Sequence, residues 1–248
     1  MNFSQYKSKF PFFILVLLVV VLAALILIKR ESLKTLFLQP SGLQEIKLPA
    51  PVYHSNISIE ETLKQRRSIR RFKNEALNLA QAAQLLWAAQ GITSPSGFRT
   101  APSAGGIYPL ELYLVNGNVQ DLPQGIYHYS PLEHSLNLLM GGDKRAELAA
   151  AAHEQNDLKE GAMILVITAN YKKTNHKYGT LGERFVNMEV GHAAENIYLQ
   201  SVSLGVGTVS IGVFDENAVK RILGLPREEE PLYLMPVGKI EVSKLLVR

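Results

Sequence analysis

Residues 188–215 read MEVGHAAENIYLQSVSLGVGTVSIGVFD and join the end of a helical pattern to the start of an apolar strand. The longest helical pattern of the chain covers 183–204, and Gly205 follows it as a typical helix stop. The residues after it predict a strand over 206–213. Gly205 and Gly207 form a G-x-G sequence, but a dinucleotide fingerprint requires the order strand, glycines, helix. Because the order is reversed here, a Rossmann dinucleotide site is excluded.

Helical segments and apolar strands surround this stretch. Ser58 and Glu61 have the spacing of a capping box, which predicts a helix through about Arg66. AMILVITA at 162–169 is typical of a strand buried on both faces. Further helices are predicted at 79–90, 144–153 and 216–223, and further strands at 110–115, 125–129, 136–140 and 232–238. This order predicts an α+β fold in which helices cover a sheet.

The N-terminal segment accounts for the whole net charge of +4. Residues 10–28 carry no charge, and as a helix they would extend about 28 Å, enough to span a hydrocarbon core. No typical cleavage site follows, which favours an uncleaved anchor over a signal peptide, and the flanking cations favour a cytoplasmic location of the C-terminal domain. We therefore expect a single-pass membrane protein that contacts the lipid bilayer through residues 10–28. The expected divisions are an anchor over 1–30, a linker over 31–56 and a folded domain over 57–248.

The remainder of the chain is electrically neutral and, like the whole chain, contains no cysteine. Disulfides, thiolate catalysis, Cys-ligated zinc and iron–sulfur clusters are therefore excluded. Glu189 and His192 have the spacing of a di-iron ligand pair, but no second pair completes such a site. We expect His192 to be hydrogen-bonded in the interior, and we predict no metal site.

A basic cluster, RRSIRRFK at 66–73, contains five cations in eight residues. The neutral domain around it argues against a nucleic-acid partner, which needs a wider basic surface. Guanidinium groups with a nearby hydroxyl match a compact phosphate, because arginine offers forked donors. A solvated helix end explains the same composition, so both interpretations stay open.

Two further segments could carry chemistry. APSAGGIYP at 101–109 contains small residues that let backbone approach a flat ligand, although a flexible loop has the same composition. The stretch at 204–215, with its G-x-G sequence, is the other one.

Taken together, four segments in order resemble the nitroreductase superfamily of FMN-dependent oxidoreductases, and within it the SagB-type (thiazole/oxazole-forming) dehydrogenases. They are RRSIRRF at 66–72, APSAGGIYPLELYLV at 101–115, the stretch at 188–215 and EEEPLYLMPVGK at 228–239. The resemblance implies a nitroreductase-like α+β sheet and a homodimer that binds FMN at the subunit interface. It also implies an enzyme, whose hydride chemistry belongs to the flavin.

The resemblance assigns a role to individual residues. Those implied to hold the FMN phosphate are Arg66, Arg67, Ser68 and Arg70, with Lys239 as a further cation. Those implied to lie beside the isoalloxazine are Ser103, Ala104 and Gly106 of the partner chain, and Ser210, Ile211 and Gly212 near N5. Lys177 and Tyr178 match the Lys-Tyr pair that removes a proton from an azoline ring in SagB-type enzymes.

The function expected from the sequence is that of a membrane-anchored, FMN-dependent oxidoreductase. Its substrate would be a nitro or quinone acceptor reduced at the expense of NAD(P)H, or an azoline-containing peptide. The alternative is a catalytically idle flavin-binding or scaffold module tethered to a membrane.

Overall fold

The structure, a computed structural model, describes residues 45–241. Its eight strands form one antiparallel sheet in the order β1-β5-β4-β3-β6-β8-β2, and β7 pairs with β8 beside this path. The strands are β1 (Glu45–Lys47), β2 (Phe72–Lys73), β3 (Leu110–Asn116), β4 (Gly125–Ser130), β5 (Ser135–Gly141), β6 (Met163–Ala169), β7 (Val206–Thr208) and β8 (Glu230–Ile240). The helices are α1 (Ile59–Gln65), α2 (Leu79–Gln90), α3 (Arg145–Ala151), α4 (Asn156–Glu160), α5 (Tyr171–Tyr178), α6 (Gly182–Ser203) and α7 (Glu216–Leu223).

Strand β6 is an interior strand of the sheet, between β3 and β8, and every one of its residues is buried. Successive side chains of a strand point to opposite faces, so β6 contributes to two separate cores. Leu165 and Ile167 pack with α2 and α6, whereas Ile164 and Val166 pack with α3, α4 and α7. The predicted α+β fold, with a sheet covered by helices, is confirmed.

Helix α6 is the element on which the candidate site is built. Its buried stripe includes Val186, Val190 and Ile197, which pack into the core formed with α2. The helix ends before Gly205, whose φ of 65° lies in the left-handed region that favours glycine. The chain then turns directly into β7, so the order helix, glycines, strand is confirmed.

Several elements differ from their predicted extent. The strand predicted over 206–213 ends at Thr208, and beyond it Ile211 forms only an isolated bridge with Leu234. The helix predicted over 144–153 ends at Ala151, because His153 adopts a left-handed φ of 56° that stops a helix. Strand β1 lies in the predicted linker and pairs with β5.

The prediction of a membrane-anchored protein requires correction. Between residues 45 and 241, none of the helices combines the length and the apolar character that a bilayer crossing requires. Helix α6 has the length, but Glu183, Arg184 and Glu189 interrupt its apolar sequence. The expected transmembrane helix, bilayer contact and membrane localisation therefore find no support in this part of the chain. The segment at 10–28, on which the prediction was based, lies outside the described residues.

Candidate functional site

The basic cluster lies beside β7, far from it in sequence but adjacent in the fold. After α1 ends, the backbone N–H of Ile69 donates to the carbonyl of Thr208 at 2.9 Å. This bond holds the cation-bearing segment against the strand that leads to Ser210. The basic cluster at 66–73 and the segment at 206–212 are therefore neighbours.

Tyr198 of α6 connects these two segments. Its hydroxyl lies 3.3 Å from the Ser68 Oγ and 3.3 Å from the Ser210 Oγ, and it accepts the backbone N–H of Ser210 at 2.8 Å. The guanidinium carbon of Arg66 lies 5.3 Å from the centre of the Tyr198 ring. Tyr198 is only 8% exposed, and it was not among the site residues predicted from the sequence. The signal that could have identified it is a tyrosine on the buried stripe of the helix, because a buried tyrosine hydroxyl needs a polar partner.

The cations of the cluster are directed to different neighbours. The Arg67 guanidinium donates to the carbonyls of Lys64 and Arg66, at 3.0 Å and 2.7 Å, and so caps the end of α1. Arg70 is exposed, and its charge acts on Asp157 of α4. Burial raises the pKa of the Asp157 carboxyl, and the Arg70 charge opposes that rise. Within residues 45–241, neither Arg67 nor Arg70 has a carboxylate within 4.0 Å. Their positive charge therefore remains available to an anion.

Lys239 lies at the end of β8 near this cluster. It is paired in register with Lys73 of β2 on one side and with Val206 of β7 on the other. The structure thus places a further cation on the strands that frame the basic segment.

The three backbone groups at 210–212 are not equivalent. The N–H of Ser210 is bonded to the Tyr198 hydroxyl, and the N–H of Ile211 donates to the carbonyl of Leu234 at 2.9 Å. The N–H of Gly212 has no acceptor in the described part of the chain, and Gly212 is exposed. Of the three amides, that of Gly212 is the one left to bind a ligand.

The loop at 103–106 is a tight turn on the other side of α6. The Ser103 hydroxyl accepts the backbone N–H of Tyr108 at 2.8 Å, and Gly105 and Gly106 have φ values of 63° and 67°. Ala104 begins the short 3-10 helix that these glycines complete. The positive φ angles explain why the loop needs glycine at two successive positions.

Glu189 of α6 lies close to this loop and is 3% exposed. Burial raises the pKa of Glu189 to about 7, although the Ser103 hydroxyl and the Arg99 charge lower it. Its Oε1 atom has no hydrogen-bond partner among the described residues.

His192, which we expected inside, is exposed instead, because it lies on the outer face of α6. No group of acidic and histidine side chains in residues 45–241 could hold a metal ion.

Lys177 and Tyr178 form the last turn of α5 rather than a loop. A Cβ added at Gly105 would lie 2.6 Å from the Tyr178 hydroxyl and 2.7 Å from the Lys177 Nζ, so both side chains contact the 103–106 loop. The Tyr178 ring packs edge-on against Phe185 of α6, with ring centres 5.0 Å apart. The structure therefore brings the Lys-Tyr pair and the glycine loop together.

These residues form two groups along α6. Glu189 lies in the first group, with the 103–106 loop. Tyr198 lies in the second group, with Arg66, Ser68 and Ser210. Both Glu189 and Tyr198 belong to α6. Nine residues of helix correspond to about 13 Å along the axis and about half a turn around it. The two groups therefore lie against opposite sides of α6.

The profile of the nitroreductase family matches residues 63–239. The "Putative nitroreductase MJ1384" of Methanocaldococcus jannaschii is 43% identical over 195 residues, which cover 79% of this chain and 96% of that protein. The Microcin B17-processing protein McbC of Escherichia coli is 25% identical over 60% of this chain and 57% of McbC.

Solved structures share the fold. A "putative nitroreductase" of Ralstonia eutropha has a TM-score of 0.72 and 30% identity. The alignment covers 83% of this chain and 93% of that one. A chain of the E. coli microcin synthetase McbBCD complex has a TM-score of 0.62 at 22% identity, covering 84% of this chain and 81% of its own, which shows likeness of fold alone. Residues 63–239 include every residue assigned to the site from the sequence.

Proposed function

The chain belongs to the nitroreductase family of oxidoreductases, and from that premise we propose that it is an FMN-dependent enzyme acting as a homodimer. The resemblance found in the sequence is thereby confirmed, and the relatives include McbC and the trifolitoxin operon protein TfxC of Rhizobium leguminosarum. The observation that carries the proposal is the hydroxyl cluster of Ser68, Tyr198 and Ser210. It joins the basic segment to the exposed amide of Gly212.

The residues of this cluster suit FMN. A phosphate dianion needs cations and short donors, and Arg66, Arg67 and Ser68 supply both at the end of α1. Arg70 and Lys239 would add positive potential from the adjoining backbone and from β8. The backbone of Ser210, Ile211 and Gly212 would offer the flat surface that an isoalloxazine ring requires.

FMN, when bound, supplies reversible acceptance and donation of hydride at its N5 atom. The chain contributes binding and electrostatics. Arg66 and Arg67 would hold the phosphate, and the Gly212 N–H would direct a donor toward the charge that develops on reduction. No protein nucleophile is required, which is consistent with a chain that has no cysteine.

A homodimer would unite the two groups that lie against opposite sides of α6. The loop Ser103–Gly106 of one protomer would then complete the site around Ser210 of the other. Exposed apolar side chains on α6 and just before it support such an interface, since Met188 is 47% exposed and Leu181 is 52% exposed. Burial of these side chains would favour association.

An azoline-containing peptide is a second candidate substrate, and the position of Lys177 and Tyr178 against Gly105 favours it. Oxidation of an azoline to an azole removes one proton and one hydride. Lys177 would take the proton from the ring, with the Tyr178 hydroxyl as the assisting donor. A nitro or quinone acceptor would not need this pair.

The test is to purify the full chain and to record whether a flavin spectrum accompanies it. Reduction is then followed under anaerobic conditions with NADH or NADPH, and reoxidation with a nitroaromatic or a quinone. A chain that takes up no FMN contradicts the proposal. Bound FMN that no donor reduces, and that no azoline peptide reduces, would favour the idle flavin-binding module.

The two substrate classes are separated by one pair of variants. Lys177→Met should abolish azoline oxidation while the FMN content stays unchanged. Lys172→Met removes an exposed lysine from the same helix and serves as the control. Equal azoline oxidation by the two variants would exclude Lys177 as the base.

A further inference from the structure

Tyr198 occupies the only hydroxyl position in the described residues that touches both ends of the proposed FMN site. Ser68 belongs to the basic segment after α1, and Ser210 lies between β7 and α7, so the two are far apart in sequence. The tyrosine hydroxyl lies within 3.3 Å of each serine hydroxyl. Both contacts therefore pass through one oxygen atom.

The hydrogen bonds around this oxygen are limited in number. A phenol has one proton to donate and can accept about two hydrogen bonds. The Tyr198 oxygen already accepts the N–H of Ser210, so its proton is available to one of the two serine hydroxyls, and the other serine must donate to it or turn away. The arrangement of Ser68 and the arrangement of Ser210 therefore depend on each other.

The ring of Tyr198 adds a second contact to the basic segment. Arg66 lies over the ring, and its Nε atom is 3.8 Å from the Glu195 carboxylate, one turn earlier on α6. A guanidinium held between an aromatic face and a carboxylate on one helix has few alternative orientations. Helix α6 thus orients both Arg66 and Ser68.

We infer that Tyr198 is a positioning residue that couples the phosphate-binding end of the site, Arg66 and Ser68, to the ring-binding backbone at Ser210. The inference rests on the proposed FMN function and adds a residue to it. Tyr198 acts through its neighbours, since its own oxygen is engaged by protein groups.

The test compares Tyr198→Phe with Tyr127→Phe. Tyr127 is also buried, and its hydroxyl donates to the carbonyl of Pro123 at 2.7 Å, in a part of the sheet remote from the site. Each variant loses one buried hydroxyl, so the general effect on stability is matched. We expect Tyr198→Phe to weaken FMN binding about tenfold, as measured by quenching of flavin fluorescence, and Tyr127→Phe to leave it unchanged.

A second measurement does not depend on FMN. Hydrogen exchange of the Ser210 amide in the flavin-free protein should accelerate in Tyr198→Phe, because the acceptor of that N–H is removed, and should not change in Tyr127→Phe. Unaltered FMN affinity in Tyr198→Phe, with normal FMN binding by the unmodified chain, would overturn the inference and leave the proposed function standing. If the unmodified chain binds no FMN, the proposed function fails and the exchange rate alone decides whether Tyr198 positions Ser210; an unchanged rate then overturns the inference.

Ser68→Ala keeps the test decisive if Tyr198→Phe folds poorly, because Ser68 is exposed and its loss should not disturb the core. It should weaken FMN binding and accelerate exchange at Ser210, where it makes no direct contact in the structure. Exchange at Ser210 that is independent of Ser68 would contradict the coupling. When both variants fold, the effect of the double variant on FMN affinity should fall short of the two single effects combined.

Discussion

Ile69 packs directly on the backbone of Gly207, so closely that a Cβ added at Gly207 would lie 2.6 Å from the Cγ2 atom of Ile69. Two carbon atoms that are not bonded to each other cannot approach to that distance. Position 207 therefore accepts only glycine unless Ile69 moves. The contact holds the basic segment against β7 at the point where the Ile69 N–H bonds to Thr208. A residue far along the chain therefore determines where the cations lie.

Gly207→Ala should displace Ile69 and lower the free energy of unfolding by about 1–3 kcal/mol, the usual cost of overpacking. FMN affinity should fall as well, because the cluster moves with Ile69. Gly141→Ala is the matched control, since no atom lies within 4 Å of a Cβ added there. Thermal unfolding and FMN titration measure both effects, and equal behaviour of the two variants would contradict the structural role of this contact.

Arg67→Ala should weaken FMN binding by about 10- to 100-fold, because a charge-assisted hydrogen bond is worth about 1.5–3 kcal/mol. Arg221→Ala removes an exposed arginine from α7 and should leave the affinity unchanged. Titration of the flavin-free protein with FMN gives the comparison. Unaltered affinity in Arg67→Ala would exclude its role as a phosphate ligand.

Gly212→Pro should reduce FMN affinity about tenfold, because it deletes the one amide of the 210–212 segment that has no acceptor among the described residues. Gly212→Ala keeps the N–H, and its Cβ would lie 3.5 Å from the Tyr233 ring, which is an ordinary contact. The alanine variant should therefore bind FMN normally. If both variants bind FMN equally well, the amide is not a ligand.

The pH dependence of stability should contain a contribution from Glu189. Its pKa is raised from 4.5 to about 7 in the folded chain, so between these values the folded state binds a proton that the unfolded state has released. Stability therefore falls as pH rises from about 4.5 to about 7, by roughly 3 kcal/mol at most, and the loss is complete above pH 7. Glu189→Gln should remove this fall.

Urea unfolding at a series of pH values measures the effect. Glu195→Gln serves as the control, because Glu195 lies on the same helix but is much more exposed. A gain in stability from Glu189→Gln that does not grow between pH 4.5 and 7 would show that the carboxyl is not protonated in the folded chain.

Met188→Lys should shift the proposed homodimer toward monomer, because it places a charge on the exposed face of α6. Leu132→Lys changes a side chain that is 79% exposed in the turn between β4 and β5 and should have no such effect. Light scattering after gel filtration gives the mass. FMN should be lost together with the dimer if each site draws on both chains. A Met188→Lys variant that stays dimeric would move the interface elsewhere.

Much of the fold was determined by local sequence pattern. The limits of α2 were predicted at 79–90, where the structure has them, because capping residues and apolar spacing act over a few positions. The buried interior strand was likewise evident from its continuous apolar run. The short strands β1 and β2 were not predicted, since two or three residues become a strand only through the neighbour they pair with.

The site residues were recognisable in the sequence as chemical types, but their arrangement was not. Cations, hydroxyls and glycines in four segments indicated a phosphate and a flat ligand, and the family resemblance supplied their roles. Only the tertiary structure showed that Tyr198 joins Ser68 to Ser210, that the Gly212 amide is the available one, and that Lys177 and Tyr178 lie against Gly105. The reason is physical: helix and strand patterns depend on neighbours a few residues away, whereas hydrogen bonds between distant segments depend on how α6 packs between them.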